Sequence, residues 1–449
     1  MRNIQNRQKM YFNQDKIFKL SRISKLFLFF LLVGFSVQGQ NSLSLEEAIA
    51  KSLENNYDIT LIRRNQQIAE IRNNWGTAGR YPYISASLGA DYSLNDNSND
   101  DFIQNRYSGG VTVNWTLFDG FAVNISKQRL VELEDLSQQN TAIVVEGTIQ
   151  AVVLAYYAVL LEKERLDVLK EVMLLSEDRF DRVDQRREFG SAVTFDVLQA
   201  QNAFLSDKTS FLNQEVAYKN ALRDLKFLMA DNGSVSYELN GTFEAIPVEY
   251  KLSDLHGQMA ANNKSLKNQY INQNLLENAV LEAKSAYYPS LSFAGGATHT
   301  RTGNDYESSG ISWANVNNMY GNFTLSYNLF SGGNRKRAVQ IAKIEESNGE
   351  VELTQMQHEL SNKMDNLYEL YLVRKELLGI ANENMETARL NYQIAQEKFE
   401  NGAINSFNFR DVQLIYLNAS LQKLQAVYNF IDTHTALLRM AGTIIQQYE

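Results

Sequence analysis

Apolar and polar residues follow two different rhythms along this chain, and the whole succession of rhythms occurs twice. From Ile84 to Tyr92 the period is two: Ile84, Ala86, Leu88, Ala90 and Tyr92 are apolar, while Ser85, Ser87, Gly89 and Asp91 are small or polar. A polar stretch over residues 95–107 reads as a loop, after which Val111, Val113, Trp115 and Leu117 alternate with Thr112, Asn114 and Thr116. The arrangement returns later: Leu291 and Phe293 alternate with Ser290, Ser292 and Ala294, and Phe323, Leu325, Tyr327 and Leu329 with Asn322, Thr324, Ser326 and Asn328. Period two predicts strands, here of about ten residues, with one apolar face and one small, polar face. A soluble sheet with one buried face alternates identically. The strand length and the long Asn-, Asp-, Ser- and Gly-bearing loops at one end favour strands that cross an outer membrane.

Around these strands the pattern is helical. Ser44 is a plausible N-cap with Glu47 three residues on, and a helical pattern runs from there to about Gly79, where Tyr81-Pro82 stops it. Residues 120–189 and 333–401 contain no proline; the three prolines are Pro82, Pro247 and Pro289. A continuous helix of roughly 70 residues would span about 100 Å. Each stretch ends where a glycine, Gly190 or Gly402, suits a left-handed C-cap, and a return helix follows to about Ala230 or Ala441. Thr194 and Ser406 are candidate N-caps of the returns. Residues 231–250, richer in Gly, Ser and Thr, are expected to form a small belt beside the helices. Such helices by themselves also describe a soluble or surface-attached coiled-coil structural protein, which remains the alternative; it leaves the four strands unexplained.

The two passes keep register. Phe118 matches Phe330, Tyr156 matches Tyr368, Leu160 matches Leu372, Met173 matches Met385 and Gly190 matches Gly402, all at an offset of 212. Upstream, Asn55-Asn56 matches Asn262-Asn263 and Tyr81-Pro82 matches Tyr288-Pro289 at an offset of 207. An offset that does not slip means no tolerated insertions, so each block is structured throughout. The expected organisation is a leader over residues 1–40, a first repeat over 41–235, a linker over 236–252 and a second repeat over 253–449.

Composition narrows the class. Seven basic residues precede the apolar run Leu26 to Phe35, followed by small residues: a basic region, an apolar region too short to span a bilayer, and a cleavage region. Without residues 1–40 the Lys and Arg fall from 43 to 36 and the Asp and Glu from 52 to 51, a formal charge of −15. That balance argues against nucleic-acid binding. There is no cysteine, which excludes disulfides and thiolate metal sites. The four histidines show no ligand spacing, and neither a phosphate-binding glycine loop nor a nucleophile elbow occurs. No catalytic residue, metal or cofactor is expected.

Four strands cannot close a barrel, because the smallest transmembrane barrels have about eight. An edge left open in lipid exposes unpaired backbone groups at several kcal/mol each. The chain must therefore pool its strands with copies of itself. The duplicated pattern, the Tyr-Pro entries and the exits Leu117-Phe118-Asp119-Gly120 and Leu329-Phe330-Ser331-Gly332 resemble the TolC-type outer-membrane efflux protein family. So do the turn motifs running from Phe189-Gly190 to Ala200 and from Asn401-Gly402 to Val412. The resemblance covers essentially all of the mature chain.

It implies an α+β membrane protein, internally duplicated, with four transmembrane β-strands per chain. Three chains would share a 12-stranded β-barrel continued by a long periplasmic α-helical barrel. It also implies the outer membrane of a Gram-negative bacterium, and an exit duct that passively conducts drugs, small molecules or proteins from periplasm to exterior. The partners implied are two further copies in a homotrimer, a periplasmic adaptor, an inner-membrane pump of resistance-nodulation-division or ABC type, and outer-membrane lipid. By position, the family's periplasmic gate falls on Phe195, Asp196, Asn408 and Asp411. Asn408 replaces an aspartate of many members, and Ile404 stands where some carry an arginine. Gly190, Ser191, Ala192, Gly402 and Ala403 are the turn residues placed to meet an adaptor.

Overall fold

A computed structural model describes residues 41–96, 101–233, 237–306 and 309–448. The leader expected over 1–40 lies outside the described residues. Strands β1 (Asn41–Leu43) and β4 (Tyr237–Leu239) pair in parallel and belong to a small compact unit of their own. The remaining chain forms the second unit. Its first half runs α1 (Leu45–Asn55), α2 (Tyr57–Arg72), β2 (Tyr83–Asn95), β3 (Phe102–Phe118), α3 (Ala122–Glu188) and α4 (Thr194–Leu228). Its second half repeats the order: α5 (Leu252–Asn262), α6 (Lys264–Ser285), β5 (Ser290–Tyr306), β6 (Gly310–Ser326), α7 (Asn334–Glu400) and α8 (Ser406–Ala441), with a short α9 (Ile444–Tyr448) after it.

The single helix expected from Ser44 to Gly79 is two helices, and the repeated asparagine pair explains the break. Asn56 leaves helical geometry (φ −56°, ψ 136°) and its Oδ1 accepts from Asp58 N at 2.9 Å and Ile59 N at 3.3 Å. Its Nδ2 donates to the Leu228 carbonyl at 2.9 Å. Asn263 does the same between α5 and α6, accepting from Leu266 N at 3.0 Å and donating to the Met440 carbonyl at 3.1 Å. One buried side chain thus caps the start of a helix and satisfies a carbonyl at the end of the return helix beside it. Only a side chain with both an acceptor and a donor can do this, so asparagine recurs here.

The four long strands form one antiparallel sheet in the order β2-β3-β5-β6. They are longer than the pattern predicted: 13 residues in β2 and 17 in each of the others. Most of the polar stretch expected as a loop over 95–107 is strand, since β3 begins at Phe102. Backbone pairing continues there without an apolar face to announce it. Conversely, Tyr327 and Leu329 alternate but lie beyond β6, which ends at Ser326. Cross-strand partners share a face. One face carries Leu88, Val111, Trp115, Phe293, Met319 and Phe323; the other carries Ser85, Asp91, Arg106, Thr112, Thr298 and Asn318. The outer strands β2 and β6 each pair on one side within the chain, and every residue of β6 is exposed.

Each strand exit turns a sharp corner into a 67-residue helix. Gly120 and Phe121 are both left-handed (φ 71° and 74°), as are Gly332 and Gly333 at the equivalent positions (φ 60° and 78°). A side chain at Gly120 would lie 2.4 Å from the Ser285 carbonyl oxygen, so glycine is required. Phe121 holds its unfavourable conformation with its ring edge-on to both Phe118 and Tyr288. Asp119 then accepts from Val123 N at 3.1 Å, closing the first turn of α3.

The apolar run of α3 is buried among helices, with Val152, Val153, Tyr156 and Val159 at 1 % exposure or less. Tyrosines fasten the irregular segment that follows β4. The Tyr156 hydroxyl accepts from Gly241 N at 3.1 Å, and Tyr371 donates to the Val248 carbonyl at 2.7 Å while accepting from Val248 N. The Tyr250 hydroxyl and His434 Nε2 are hydrogen-bonded at 2.8 Å.

Asn263→Ala is expected to lower stability by roughly 1–2 kcal/mol through the lost cap, with a further loss from the orphaned Met440 carbonyl. Asn263→Asp keeps the acceptor and loses the donor, so its thermal midpoint should fall between those of wild type and alanine. A second outcome concerns pH. Burial holds the His434 imidazole below its ordinary 6.5. The unfolded chain therefore takes up this proton first, and stability present above about pH 6.5 is lost as pH falls toward the folded value. The drop in midpoint between about pH 8 and pH 5 should be smaller in His434→Phe than in wild type.

Candidate functional site: the tips of the helical hairpins

The two hairpin turns are built alike. Gly190 and Gly402 both adopt φ 72°, with Ser191 N donating to the Arg186 carbonyl at 2.8 Å and Ala403 N to the Lys398 carbonyl at 2.7 Å. These bonds satisfy the last carbonyls of α3 and α7. The N-caps differ from expectation: they are Val193, which offers no side-chain bond, and Asn405, whose Oδ1 accepts from Asn408 N at 2.8 Å. Thr194 and Ser406 are the first helical residues instead. Both turns provide an extended residue before the helix, and the residue in that geometry is the cap.

Behind each tip lies a different core. The second packs Tyr392, Ala395, Phe399 and Phe409, with the Phe399 and Phe409 rings stacked at 4.8 Å. The first is smaller, built on Val183, Val197 and Ala200. Between the tips lies a groove of about 630 Å³, to which Phe195, Asp196, Ser191, Ala192 and Asp411 all contribute together with Arg179, Arg186 and Arg410. Asn408 and the turn residues Gly190, Gly402 and Ala403 are exposed outside that lining. Asp196 is exposed in the first turn of α4, where it suits the helix dipole, and Asp411 is exposed one turn farther into α8. Among the described residues neither forms an ion pair within the chain.

The polar centre of the site is a cluster that sequence reasoning passed over. Arg410 on α8 reaches Asp207 on α4 through two parallel bonds of 2.7 Å each. The same guanidinium contacts Ser176 Oγ at 3.2 Å and Gln413 Oε1 at 3.1 Å, and Ser176 also donates to Asp207. Asp207 is 6 % exposed and Ser176 fully buried. Arg179 is buried beside them, its pKa lowered to about 10 by burial and by the Arg410 charge, against the opposing pull of Asp207. One carboxylate therefore faces two guanidiniums, that of Arg179 buried and that of Arg410 partly so. The cluster ties the return helix of the second hairpin to both helices of the first.

The duplication itself held the signal. At the 212 offset, Ser176 and Asp207 correspond to Ala388 and Ala419, both buried, and Arg410 corresponds to exposed Leu198. The halves agree in apolar positions and part company where this ion pair sits.

Fold and site together describe a channel-forming outer-membrane protein: a four-stranded sheet with one apolar face, joined to a bundle of long helical hairpins. A family model described as outer membrane efflux protein matches residues 48–231 and 255–443, and the chain belongs to that family. Its role is that of an outer-membrane exit duct of efflux systems, with a large periplasmic part. Several solved channels share the fold at low identity. The Campylobacter jejuni outer membrane channel CmeC is 16% identical, with 89% of this chain and 86% of that one aligned at a TM-score of 0.71. The open-state Neisseria gonorrhoeae outer membrane channel MtrE is 14% identical, with 89% of each aligned at 0.69. The Vibrio cholerae outer membrane protein VceC is 11% identical, with 89% and 96% aligned at 0.67. No curated protein matches the sequence.

Asp207→Ala should loosen the hairpin tips, since removing one partner of a buried pair costs about 3–5 kcal/mol. Giving the cluster the residues of the other repeat, Asp207→Ala and Arg410→Leu together with Ser176→Ala and Arg179→Asn so that no buried charge is left alone, should recover most of that loss. Hydrogen exchange over residues 176–183 and 405–413 reads both outcomes: faster in the single variant, near wild type in the fourfold one.

Proposed function

We propose that three copies of this chain pool their sheets into one 12-stranded barrel, and that the helical hairpins continue the wall into the periplasm as a tube. The duct is passive and works docked to a periplasmic adaptor and an inner-membrane pump of resistance-nodulation-division or ABC type. The observation that carries this reading is the pair of open edges, β2 and β6, on a sheet whose one face is apolar. In lipid those edges must find partners, and identical chains offer them in the right geometry: β6 of one copy against β2 of the next.

The hairpin tips are the gated entrance. Asp411 lines it and favours cations; Asp196 and Phe195 stand across the same groove. Ile404 supplies no arginine, and the Arg410–Asp207 pair takes over the holding of the closed end. A buried ion pair adds little net stability compared with an apolar replacement, yet breaking it is costly, which suits a latch more than a strut. Gly190, Ser191, Gly402 and Ala403 present small exposed surfaces and Ala192 a partly buried one, with nothing within 4 Å of a side chain added at either glycine, and these five are the contact points for an adaptor.

The purified protein should run as a trimer in detergent and conduct ions across a planar bilayer; a monomer without conductance overturns the reading. Within that assay, Asp411→Ala should shift the reversal potential in a salt gradient toward lower cation selectivity. An unchanged potential would remove Asp411 from the entrance.

A further inference from the structure

Toward its loop end the apolar face of the sheet turns polar. On β5 and β6, four outward positions in two adjoining rows are polar: His299 beside Asn317, and Arg301 beside Asn315. All four are exposed, and all lie on the face that carries Phe293, Ala297, Met319 and Phe323. His299 Nδ1 and Asn317 Oδ1 are hydrogen-bonded at 2.6 Å. The Arg301 guanidinium lies over the Trp313 ring at 4.5 Å from its centre, and Trp313 stacks on Tyr107 at 6.1 Å. Gly303 makes this possible: a side chain there would come within 2.8 Å of the indole.

The height of this patch is set by the aromatic rows. Phe293 pairs with Phe323 near the helix end of the sheet, and Gly303 pairs with Trp313 ten residues farther along β5. Ten residues of strand rise about 33 Å, or roughly 25 Å across a bilayer at the usual tilt, the thickness of an outer-membrane apolar band. Trp313 and Tyr107 therefore mark the outer girdle, and Arg301 sits just inside it. Asp305, on the same face, stands beyond that girdle. A cation on a lipid-facing strand is costly near the midplane and falls to about 0–1 kcal/mol near the interface, where an anionic headgroup can meet it.

We infer that Arg301, His299, Asn315 and Asn317 form a binding site for the phosphorylated sugar headgroup of an outer-leaflet glycolipid. Arg301, held flat by Trp313, supplies the forked charge for the phosphate, and the two asparagines and the histidine face the sugar hydroxyls. The site rests on the barrel reading, because that reading turns this face toward lipid.

The test is native mass spectrometry of the delipidated protein in detergent, with bis-phosphorylated lipid A, its dephosphorylated analogue and phosphatidylethanolamine supplied in turn. The expected result is selective retention of phosphorylated lipid A. Arg301→Ala should reduce it about ten-fold, the loss of one hydrogen bond to a charged group, and Arg301→Lys less. Excess inorganic phosphate should fail to displace the lipid. Equal retention of the three lipids, unchanged retention in Arg301→Ala, or full displacement by free phosphate overturns the site. The oligomer mass in the same spectra separates these outcomes: a trimer without lipid selectivity defeats the site alone, whereas a monomer defeats the barrel.

Discussion

A peptide group in hydrocarbon has no water to turn to, and this chain brings two whole strand edges to that environment. The free edges of β2 and β6 are 13 and 17 residues long. Left unpaired in lipid they would forfeit several kcal/mol at each exposed group, far more than any folded chain can lose. The rest of the architecture answers that constraint. In the barrel proposed above, the sheet closes only with further copies of the chain, and the wall is then shared and hollow. The polar inner face, the corner at each strand exit and the long helices below follow as the means of carrying a wetted bore away from the membrane.

Duplication supplies this wall economically and also shows where the two halves have been given separate tasks. Asn56 and Asn263 perform the same double bond, each joining a helix start to the end of a returning helix. Gly190 and Gly402 close the same turn at the same φ. Against that agreement, the buried cluster of Asp207, Ser176, Arg179 and Arg410 occupies positions that are alanine, asparagine or leucine in the partner repeat. A symmetric pair of hairpins would pack equally well in many relative positions. The ion pair bridges them at one point, where breaking it would leave a largely buried charge without its partner.

The outward face makes a similar point about departures from pattern. An uninterrupted apolar face would satisfy the bilayer. The replacement of four outward residues by Arg301, His299, Asn315 and Asn317, with a glycine opened beneath Trp313, is organised and not scattered. Its place at the outer aromatic row gives it a chemical neighbour, the headgroup layer.

Much of this protein was legible in the order of its residues. Period-two alternation located four strands and their apolar face, the proline-free stretches gave the two long helices, and the fixed offset showed that the fold is built twice. These are local properties, written in spacing and in what proline and glycine permit. Strand ends were less legible, because beyond the apolar band pairing continues between residues that carry no facial preference, as over Phe102–Tyr107. The helix break at Asn56 was hidden because its cause is a carbonyl at Leu228, 172 residues away. Likewise Asp196 and Asp411 could be placed at turns by pattern, while Arg410 and Asp207, 203 residues apart, became partners only through the packing of one hairpin on the other. Sequence determines what each segment can be; which distant donor meets which acceptor is decided where the segments come together.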